Sequence, residues 1–222
     1  MCGRFALYSP YPKLSESLRL PLEAGKVTPR YNVAPGTFVT AVRRADDEAP
    51  LVMDKLWWGY RPHWAKGKGK GEAPQSINAT VEKVATSNYF KGAFRQHRCL
   101  IPADGWYEWL PVDGKKQPHF LTRTDGEPIW LAGIWAQRAD GTPGCAIITE
   151  PARGTAKEIH SRMPLLLDAD SLAPWLDPDL TERETIRNVV HHLDAELITH
   201  WAVSTRVNPP GNDSNAALIN PA

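Results

Sequence analysis

Runs of β-branched and aromatic residues alternate with turn residues along most of the chain. The stretches FVTAVRR (38–44) and LVMDKLWWG (51–59) each predict a strand, because such side chains pack well on a pleated, half-buried surface. TRTDGEPIWLAGIW (122–135) predicts two strands joined by a hairpin turn at Asp125-Gly126. The remaining predicted strands are GCAIIT (144–149) and HWAVS (200–204).

Helical patterns are short and fall in four segments. A helix is predicted over 86–96, and Thr86 and Ser87 at its start are placed to cap it. Thr181 and Glu184 have the spacing of a capping box for a helix over 181–193. The other two predicted helices cover 12–20 and 169–176.

No internal repeat and no linker interrupts this mixture of short elements. The sequence therefore predicts one domain over residues 1–222, of the α+β class, with a mostly antiparallel, barrel-like sheet flanked by short helices. A chain of 222 residues can bury a sizeable single core.

Composition excludes several classes of protein. The net charge is only +1, so any binding to nucleic acid must come from a local patch. No stretch approaches the roughly 18 apolar residues of a spanning helix, and the N-terminus lacks the apolar region of a signal peptide. We therefore expect a cytoplasmic protein that does not bind a membrane.

Metal and cofactor motifs are missing from the sequence. The three cysteines, Cys2, Cys99 and Cys145, form no C-x-x-C pair and leave one thiol over, which favours reduced thiols rather than disulfides or zinc. The histidines show no ligand spacing with a second donor. The stretch AKGKGKGEAP (65–74) matches neither a Walker loop nor a dinucleotide fingerprint and predicts a mobile basic loop. We expect no cofactor and no metal.

The opening sequence MCGRF places a cysteine at the second residue, where a side chain contributes little to a core and the thiol is easily exposed. A lone early cysteine is often without a chemical role. If Met1 is removed, however, Cys2 carries both an α-amine and a thiol. The amine has a reference pKa of about 7.7–8.0, so it can attack an aldehyde near neutral pH. The thiol can then close a five-membered thiazolidine on the same carbon.

Five further polar or turn-rich stretches lie beside apolar strands. They are RYNVAPGT (30–37), INATVEK (77–83), CLIPADGWYEW (99–109), IHSRMPLLL (159–167) and VSTRVNPPGNDSNAALINP (203–221). Together with MCGRF, in this order, they resemble the SRAP family, the SOS response-associated peptidases. The resemblance runs from residue 2 nearly to the C-terminus.

The resemblance implies a protein that recognises abasic sites in single-stranded DNA during the DNA damage response. Members of the family join the N-terminal cysteine to the ring-opened deoxyribose as a thiazolidine, which shields the lesion as a DNA–protein crosslink. A lyase activity on abasic sites and an autoproteolytic activity that exposes the cysteine accompany this chemistry. We expect a monomer with this DNA as its partner.

Four residues carry the chemistry by this resemblance. Cys2 is the nucleophile, Asn78 positions the sugar, Glu108 moves protons and His160 is the acid–base group. A histidine with a pKa near neutral suits opening of the sugar ring. Aromatic neighbours of Glu108 could raise its pKa towards the working range. The ordinary alternatives, with each residue taken singly, are a turn asparagine, an exposed strand glutamate and a capped or core histidine.

Five residues are expected to contact DNA through charge or stacking. Arg4 and Arg162 would meet phosphates, and base stacking on an aromatic ring is worth about 1–3 kcal/mol. The predicted DNA-binding residues are Gly3, Arg4, Trp64, Trp109 and Arg162. Trp130, Trp135, Trp175 and Trp201 are assigned to the core, as is at least one of Trp57 and Trp58.

The chain departs from the family pattern at two positions. Thr80 stands where many members have an arginine, and Ala65 follows Trp64 where an aromatic pair is common. We expect weaker DNA binding, unless the loop lysines supply the missing charge. Those lysines are Lys66, Lys68 and Lys70.

Three other functions use parts of the same set of residues. An N-terminal-nucleophile peptidase or amidase would also use Cys2. A non-covalent binder of single-stranded DNA would use the tryptophans and arginines alone. A papain-like pair of His160 with Cys99 or Cys145 is the third, and the apolar strand context of both cysteines disfavours it.

Overall fold

The structure is a computed structural model that describes residues 2–18, 27–65, 67 and 73–222. The end of the predicted helix over 12–20 lies outside these ranges, and so do Met1 and the three loop lysines. The strands are β1 (Phe5–Leu7), β2 (Arg30–Val33), β3 (Phe38–Arg43), β4 (Val52–Trp58), β5 (Asn78–Thr80), β6 (Arg98–Ala103), β7 (Gly105–Val112), β8 (Lys115–Arg123), β9 (Ile129–Gln137), β10 (Pro143–Pro151), β11 (Arg162–Pro164) and β12 (Ile198–Ala202).

The helices are short, and none of those described is long and apolar enough to cross a membrane. They are α1 (Tyr11–Leu18), α2 (Lys91–Gln96), α3 (Leu172–Trp175) and α4 (Arg183–Val189). Turns of 3-10 helix lie at Gly154–Glu158, Ala169–Ser171, Ala195–Leu197, Thr205–Val207 and Ala216–Ile219.

Five strands close into a barrel. Its order is β10-β4-β3-β6-β9, and β9 pairs again with β10. All of these pairings are antiparallel except that between β10 and β4. Closure leaves no free edge among the five strands. β5 and β11 pair with β10 beyond the ring, and both carry residues of the candidate site.

The second sheet is open and wholly antiparallel, with the order β12-β8-β7-β1-β2. One of its faces joins the main core through Trp106 and Leu121. The other face packs a smaller cluster that includes Tyr107 and Phe120. The predicted α+β fold with a barrel-like, mostly antiparallel sheet and short helices is confirmed.

The predicted hairpin at Asp125-Gly126 is wrong. β8 and β9 follow each other along the chain, but β8 pairs with β7 and β12, whereas β9 belongs to the barrel. Gly126 does form a turn, with a positive φ of 70°. A local turn signal therefore identified the change of direction but not the partner of either strand.

Both predicted helix caps are also wrong. The helix predicted over 86–96 begins at Lys91, and its N-cap residue makes no side-chain hydrogen bond. Ser87 instead accepts a hydrogen bond from the Tyr89 backbone within a turn. The helix predicted over 181–193 spans Arg183–Val189, and no side chain caps it. The tertiary structure shortens both helices and replaces the predicted ends.

The tryptophans largely follow their assignments. Trp130, Trp135 and Trp175 are buried, and Trp58 is fully buried with its indole N–H donating to the Ile77 carbonyl. Trp201 is only half-buried and packs on the smaller cluster.

Candidate functional site

Cys2 lies in the interior of the protein. Its side chain has no exposed surface, which contradicts the expectation of an exposed terminal thiol. The pairing of β1 with β7 sets Phe5 opposite Trp106, and the Tyr107 N–H donates to the Arg4 carbonyl at 2.9 Å. Extended two residues beyond Arg4, the same register brings Cys2 alongside the part of β7 that contains Glu108.

The electrostatics of Cys2 reflect this position. Burial raises the pKa of the Cys2 thiol far above its usual range, and the Glu108 carboxylate nearby raises that pKa further. The thiol is therefore protonated at neutral pH and needs a proton acceptor before it can react as a nucleophile.

Glu108 is the buried carboxyl group of the site, with only 4% of its surface exposed. The ordinary alternative of an exposed strand glutamate is therefore wrong. Burial raises the pKa of Glu108 to about 7, in the direction that its aromatic neighbours predicted. A carboxyl with this pKa can both donate and accept a proton near neutral pH.

His160 follows the 3-10 turn Gly154–Glu158 and precedes β11. Its Nδ1 accepts a hydrogen bond from the Arg162 backbone N–H at 2.9 Å. The neutral ring therefore carries its proton on Nε2. Burial lowers the pKa of His160, which favours this neutral form.

Asn78 begins β5, opposite Ile147 of β10. Its side-chain amide donates to the Ile147 carbonyl at 3.4 Å. The Oδ1 atom is buried and has no hydrogen-bond partner in the described part of the chain. A buried acceptor of this kind is costly unless a ligand supplies a donor.

An open groove of about 430 Å³ brings Glu108 and His160 together. Its other lining residues are Trp109, Lys116 and Asn208. One wall thus comes from β7 and β8 of the open sheet, while His160 comes from the segment that leads to β11 beside the barrel. The groove lies at the seam between the two sheets.

Arg4 and Trp109 form one side of this seam. Arg4 donates to Asn32 Oδ1 at 2.6 Å and to the Val207 carbonyl at 2.8 Å. Its guanidinium lies 5.8 Å from the centre of the Trp109 ring, and the Trp109 indole donates to Asn208 at 2.8 Å. Protein contacts thus hold both predicted DNA-binding side chains in place.

Arg162 is held by a carboxylate. It makes a two-pronged contact with Glu82, at 2.7 and 3.1 Å, and donates to the Thr149 carbonyl at 2.7 Å. The hydrogen bonds from Arg162 lower the pKa of Glu82 to about 2. A phosphate would therefore have to compete with Glu82 for Arg162.

Trp64 does not join this groove. It is 53% exposed and packs edge-on against Tyr89 in a separate groove, whose lining also includes His97. Gly3 is half-buried beside Cys2. The structure therefore brings Cys2, Glu108, His160, Arg4 and Trp109 to one seam and sets Trp64 apart.

Several neighbours of the site were not singled out from the sequence. Asn32 and Asn208 lie within two of the polar stretches, so their position there was the available signal. His119 sits opposite Glu108 in the β7–β8 register, with its Nδ1 at 3.3 Å from that of His200. Among the described residues, no group of three or more acidic, histidine or cysteine side chains could hold a metal ion.

Comparison with known proteins identifies the family. The family model described as SOS response associated peptidase (SRAP) matches residues 1–210. The chain belongs to the SRAP family.

Other SRAP-like proteins resemble this chain over most of its length. The Escherichia coli abasic site processing protein YedK is 36% identical over 193 residues, which is 83% of each chain. The chicken (Gallus gallus) abasic site processing protein HMCES is 29% identical, covering 89% of this chain and 68% of that protein. The crystal structure of a phage-related protein from Bordetella bronchiseptica matches with a TM-score of 0.72 and 30% identity, over 91% of this chain and 94% of that one.

Proposed function

We propose that this SRAP chain recognises abasic sites in single-stranded DNA and bonds to them covalently through Cys2. The observation that carries the proposal is the placement of the buried Cys2 thiol beside Glu108, a carboxyl with a pKa of about 7 that lines an open groove. The naming of YedK and HMCES as abasic site processing proteins supports the same substrate.

The reaction begins with the α-amine. Removal of Met1, for which we propose autoproteolysis, leaves the amine on Cys2. The amine adds to the aldehyde carbon of the open sugar, and loss of water gives an imine. Because the thiol is protonated, the amine reacts first. The sulfur then bonds to the same carbon while the thiol proton passes to the Glu108 carboxylate, and the imine nitrogen takes a proton to complete the thiazolidine. Overall, one water leaves.

Glu108, His160 and Asn78 serve successive steps. Protonated Glu108 supplies the proton with which the hydroxyl leaves as water, and it recovers a proton when the thiol adds. As the closed sugar opens, the anomeric hydroxyl loses a proton and the ring oxygen gains one, and the Nε2–H of the neutral His160 donates a hydrogen bond that stabilises the ring oxygen as it leaves. The unsatisfied Oδ1 of Asn78 accepts a hydrogen bond from a sugar hydroxyl.

A lyase activity follows from the same imine. The imine acidifies the adjacent sugar C–H bond, and loss of that proton expels the 3′ phosphate. Thiazolidine closure removes the imine, so closure competes with strand cleavage. We therefore propose that shielding of the lesion dominates while Cys2 has its thiol, and that cleavage increases when the thiol is absent.

Intact mass spectrometry tests the proposal directly. The purified protein is measured before and after mixing with a single-stranded oligonucleotide that contains one abasic site. We expect a species without Met1 that gains the mass of the oligonucleotide less one water and survives without reductant. Cys2→Ala should give no such stable species, and an intact oligonucleotide without the lesion is the control.

Two outcomes would overturn the proposal. Retention of the oligonucleotide on a native gel without any covalent mass would indicate a non-covalent DNA binder. No DNA binding despite a free Cys2, together with turnover of peptide substrates, would indicate an N-terminal-nucleophile peptidase.

A further inference from the structure

The two arginines predicted to meet phosphates are held by different kinds of acceptor. Arg162 is ion-paired with the Glu82 carboxylate, with contacts of 2.7 and 3.1 Å. Arg4 instead donates to neutral oxygens, to Asn32 Oδ1 at 2.6 Å and to the Val207 carbonyl at 2.8 Å. Among the described residues, no carboxylate forms an ion pair with Arg4. The contacts of Arg4 therefore fix its guanidinium without neutralising it.

Two carboxyl groups on neighbouring segments do not offset the charge of Arg4. Asp213 lies beside β2 and is ion-paired with Arg30 at 2.7 Å. Glu108 lies in the strand that pairs with β1, and burial raises its pKa to about 7, so it is only partly ionised at neutral pH. Burial lowers the pKa of Arg4, but an arginine stays protonated at neutral pH. Arg4 therefore carries an uncompensated positive charge at the seam.

Asn32 is a buried amide with all of its polar atoms engaged. It lies in β2, with 1% of its surface exposed. Its Nδ2 donates to the carbonyls of Val207 and Pro209, both at 3.1 Å, while its Oδ1 accepts from Arg4. Only this orientation of the amide fits, because the two carbonyls need a donor and the guanidinium needs an acceptor. An aspartate at this position would turn an unprotonated oxygen towards the carbonyls and a negative charge towards Arg4.

The same contacts fasten one wall of the groove to the start of β1. The segment 207–209 contributes Asn208 to the lining of the groove. Arg4 Nη2 donates to the Asn208 carbonyl at 3.3 Å, and Asn208 Oδ1 accepts from the Trp109 indole at 2.8 Å. Asn32 therefore sets the position of Arg4 against a wall that the substrate must pass.

Arg4 keeps donors for a ligand at a useful distance from the nucleophile. A guanidinium has five N–H donors, and the three hydrogen bonds above leave two of them over. One of these, the buried Nε–H, has no partner in the described part of the chain. Arg4 follows Cys2 by two residues, about 6–7 Å along an extended chain. A phosphate bound to Arg4 would therefore flank the sugar that bonds to Cys2.

We propose that Asn32 is a positioning residue that holds Arg4, with its charge intact, as the phosphate contact beside the nucleophile. Asn32 acts through Arg4 and does not itself touch the DNA. The inference rests on the proposed function, in which single-stranded DNA with an abasic site enters the groove. It gives the two arginines different roles, because Arg4 is available in the free protein whereas Arg162 must first leave Glu82.

Asn32→Asp tests this inference with a side chain of nearly the same shape. Its carboxylate would pair with Arg4, so single-stranded DNA should bind about three- to tenfold more weakly. The slope of log affinity against log salt should become shallower by about 0.7, the value of one phosphate contact. The probe is a labelled oligonucleotide whose abasic aldehyde has been reduced to the alcohol, so that anisotropy measures binding without reaction. Asn188→Asp adds the same charge at an exposed position of α4 and should leave the slope unchanged.

A double-mutant cycle separates an action through Arg4 from general damage to the groove. In the Arg4→Gln background, Asn32→Asp should cause no further change in the slope. Asn32→Ala provides a second cycle without an added charge, which stays informative if Asn32→Asp does not fold. It should weaken DNA binding about two- to fivefold when Arg4 is present and leave binding unchanged in Arg4→Gln. The melting temperature of each variant shows whether it is folded.

The outcomes distinguish this inference from the proposed function. An unchanged slope in folded Asn32→Asp would overturn the inference. So would an equal loss of binding on Asn32→Ala with and without Arg4, because Asn32 would then act through the groove wall alone. A wild-type protein that does not bind the oligonucleotide would overturn the proposed function and this inference with it. A wild-type protein that binds DNA but forms no adduct with the intact aldehyde would overturn only the covalent reaction.

Discussion

The closed barrel and the open sheet both bury cysteine, but they give the thiol different neighbours. Cys99 and Cys145 lie inside the barrel, where burial raises the pKa of each thiol. Cys2 is equally buried, yet it lies beside Glu108, which reaches the groove at the seam. Burial alone therefore does not distinguish an inert thiol from a reactive one. In the proposed reaction, the adjacent proton acceptor and the access for substrate make Cys2 the reactive thiol.

The sharpest way to test this comparison is to remove each cysteine in turn. Cys2→Ala should abolish the stable adduct, a loss of at least about 100-fold, with little change in DNA binding. Cys99→Ala and Cys145→Ala should each lower the free energy of unfolding by about 1–2 kcal/mol through lost packing. Both variants should retain adduct formation. Mass spectrometry and urea denaturation give the two readouts.

A loss of adduct in Cys99→Ala at full folding would contradict the separation of the two regions. It would also favour the alternative of a papain-like pair between His160 and an internal cysteine.

Glu108→Gln probes the second difference, the titrating carboxyl at the seam. The adduct rate should fall by about 10²–10⁴-fold, because the amide cannot exchange a proton. The free energy of unfolding of the variant at pH 8 should instead be higher than that of the wild type. The folded pKa of about 7 lies above the reference value of 4.5, so the folded state binds the proton more tightly than the unfolded state does. Wild-type stability therefore falls as pH rises from about 4.5 to 7.

The variant removes that pH-dependent loss. Its melting temperature should exceed that of the wild type at pH 8, by an amount that corresponds to at most about 3 kcal/mol, and the gap should close near pH 4.5. The exposed Glu48→Gln is the matched control and should show no such pH-dependent gap. Equal melting temperatures for Glu108→Gln and the wild type at pH 8 would show that Glu108 is ionised at little cost in the folded state.

A substitution at Gly133, inside the barrel, tests the rigidity of the barrel with a smaller expected effect. A Cβ atom added at Gly133 would lie 2.9 Å from the Cys99 sulfur and 3.2 Å from the Ala146 carbonyl. Gly133→Ala should therefore lower the free energy of unfolding by about 1–3 kcal/mol through overpacking. The adduct rate per folded molecule should stay unchanged. A changed rate would mean that strain in the barrel reaches the seam.

The sequence predicted the barrel strands better than their partners. Runs of β-branched and aromatic residues located β3 and β4 within one residue at each end, because such side chains pack well on half-buried strands. The same kind of signal joined β8 to β9 by a hairpin that does not exist. Strand pairing depends on contacts distant in sequence, which no local turn encodes.

The site was predicted in parts. Motif order led to Cys2, Glu108 and His160, and the structure brings Glu108 and His160 to one groove, with Cys2 beside Glu108. The burial of Cys2 was not predicted, since it follows from the β1–β7 register rather than from residue types near the terminus. The engagement of Arg162 by Glu82 was also missed, because the two residues are 80 positions apart.

That ion pair supplies the smallest predicted effect, at the part of the seam contributed by the barrel. Glu82→Gln should release Arg162 for a phosphate, so single-stranded DNA should bind about two- to fivefold more tightly and the salt dependence should steepen by about one phosphate contact. Glu184→Gln removes the same charge from α4 and is the matched control. Anisotropy at several salt concentrations measures both. If the two variants tighten binding equally, net charge explains the gain and Arg162 makes no phosphate contact. If only Glu82→Gln tightens DNA binding, the barrel side of the seam contributes a phosphate contact through Arg162, which is ion-paired with Glu82 in the free protein.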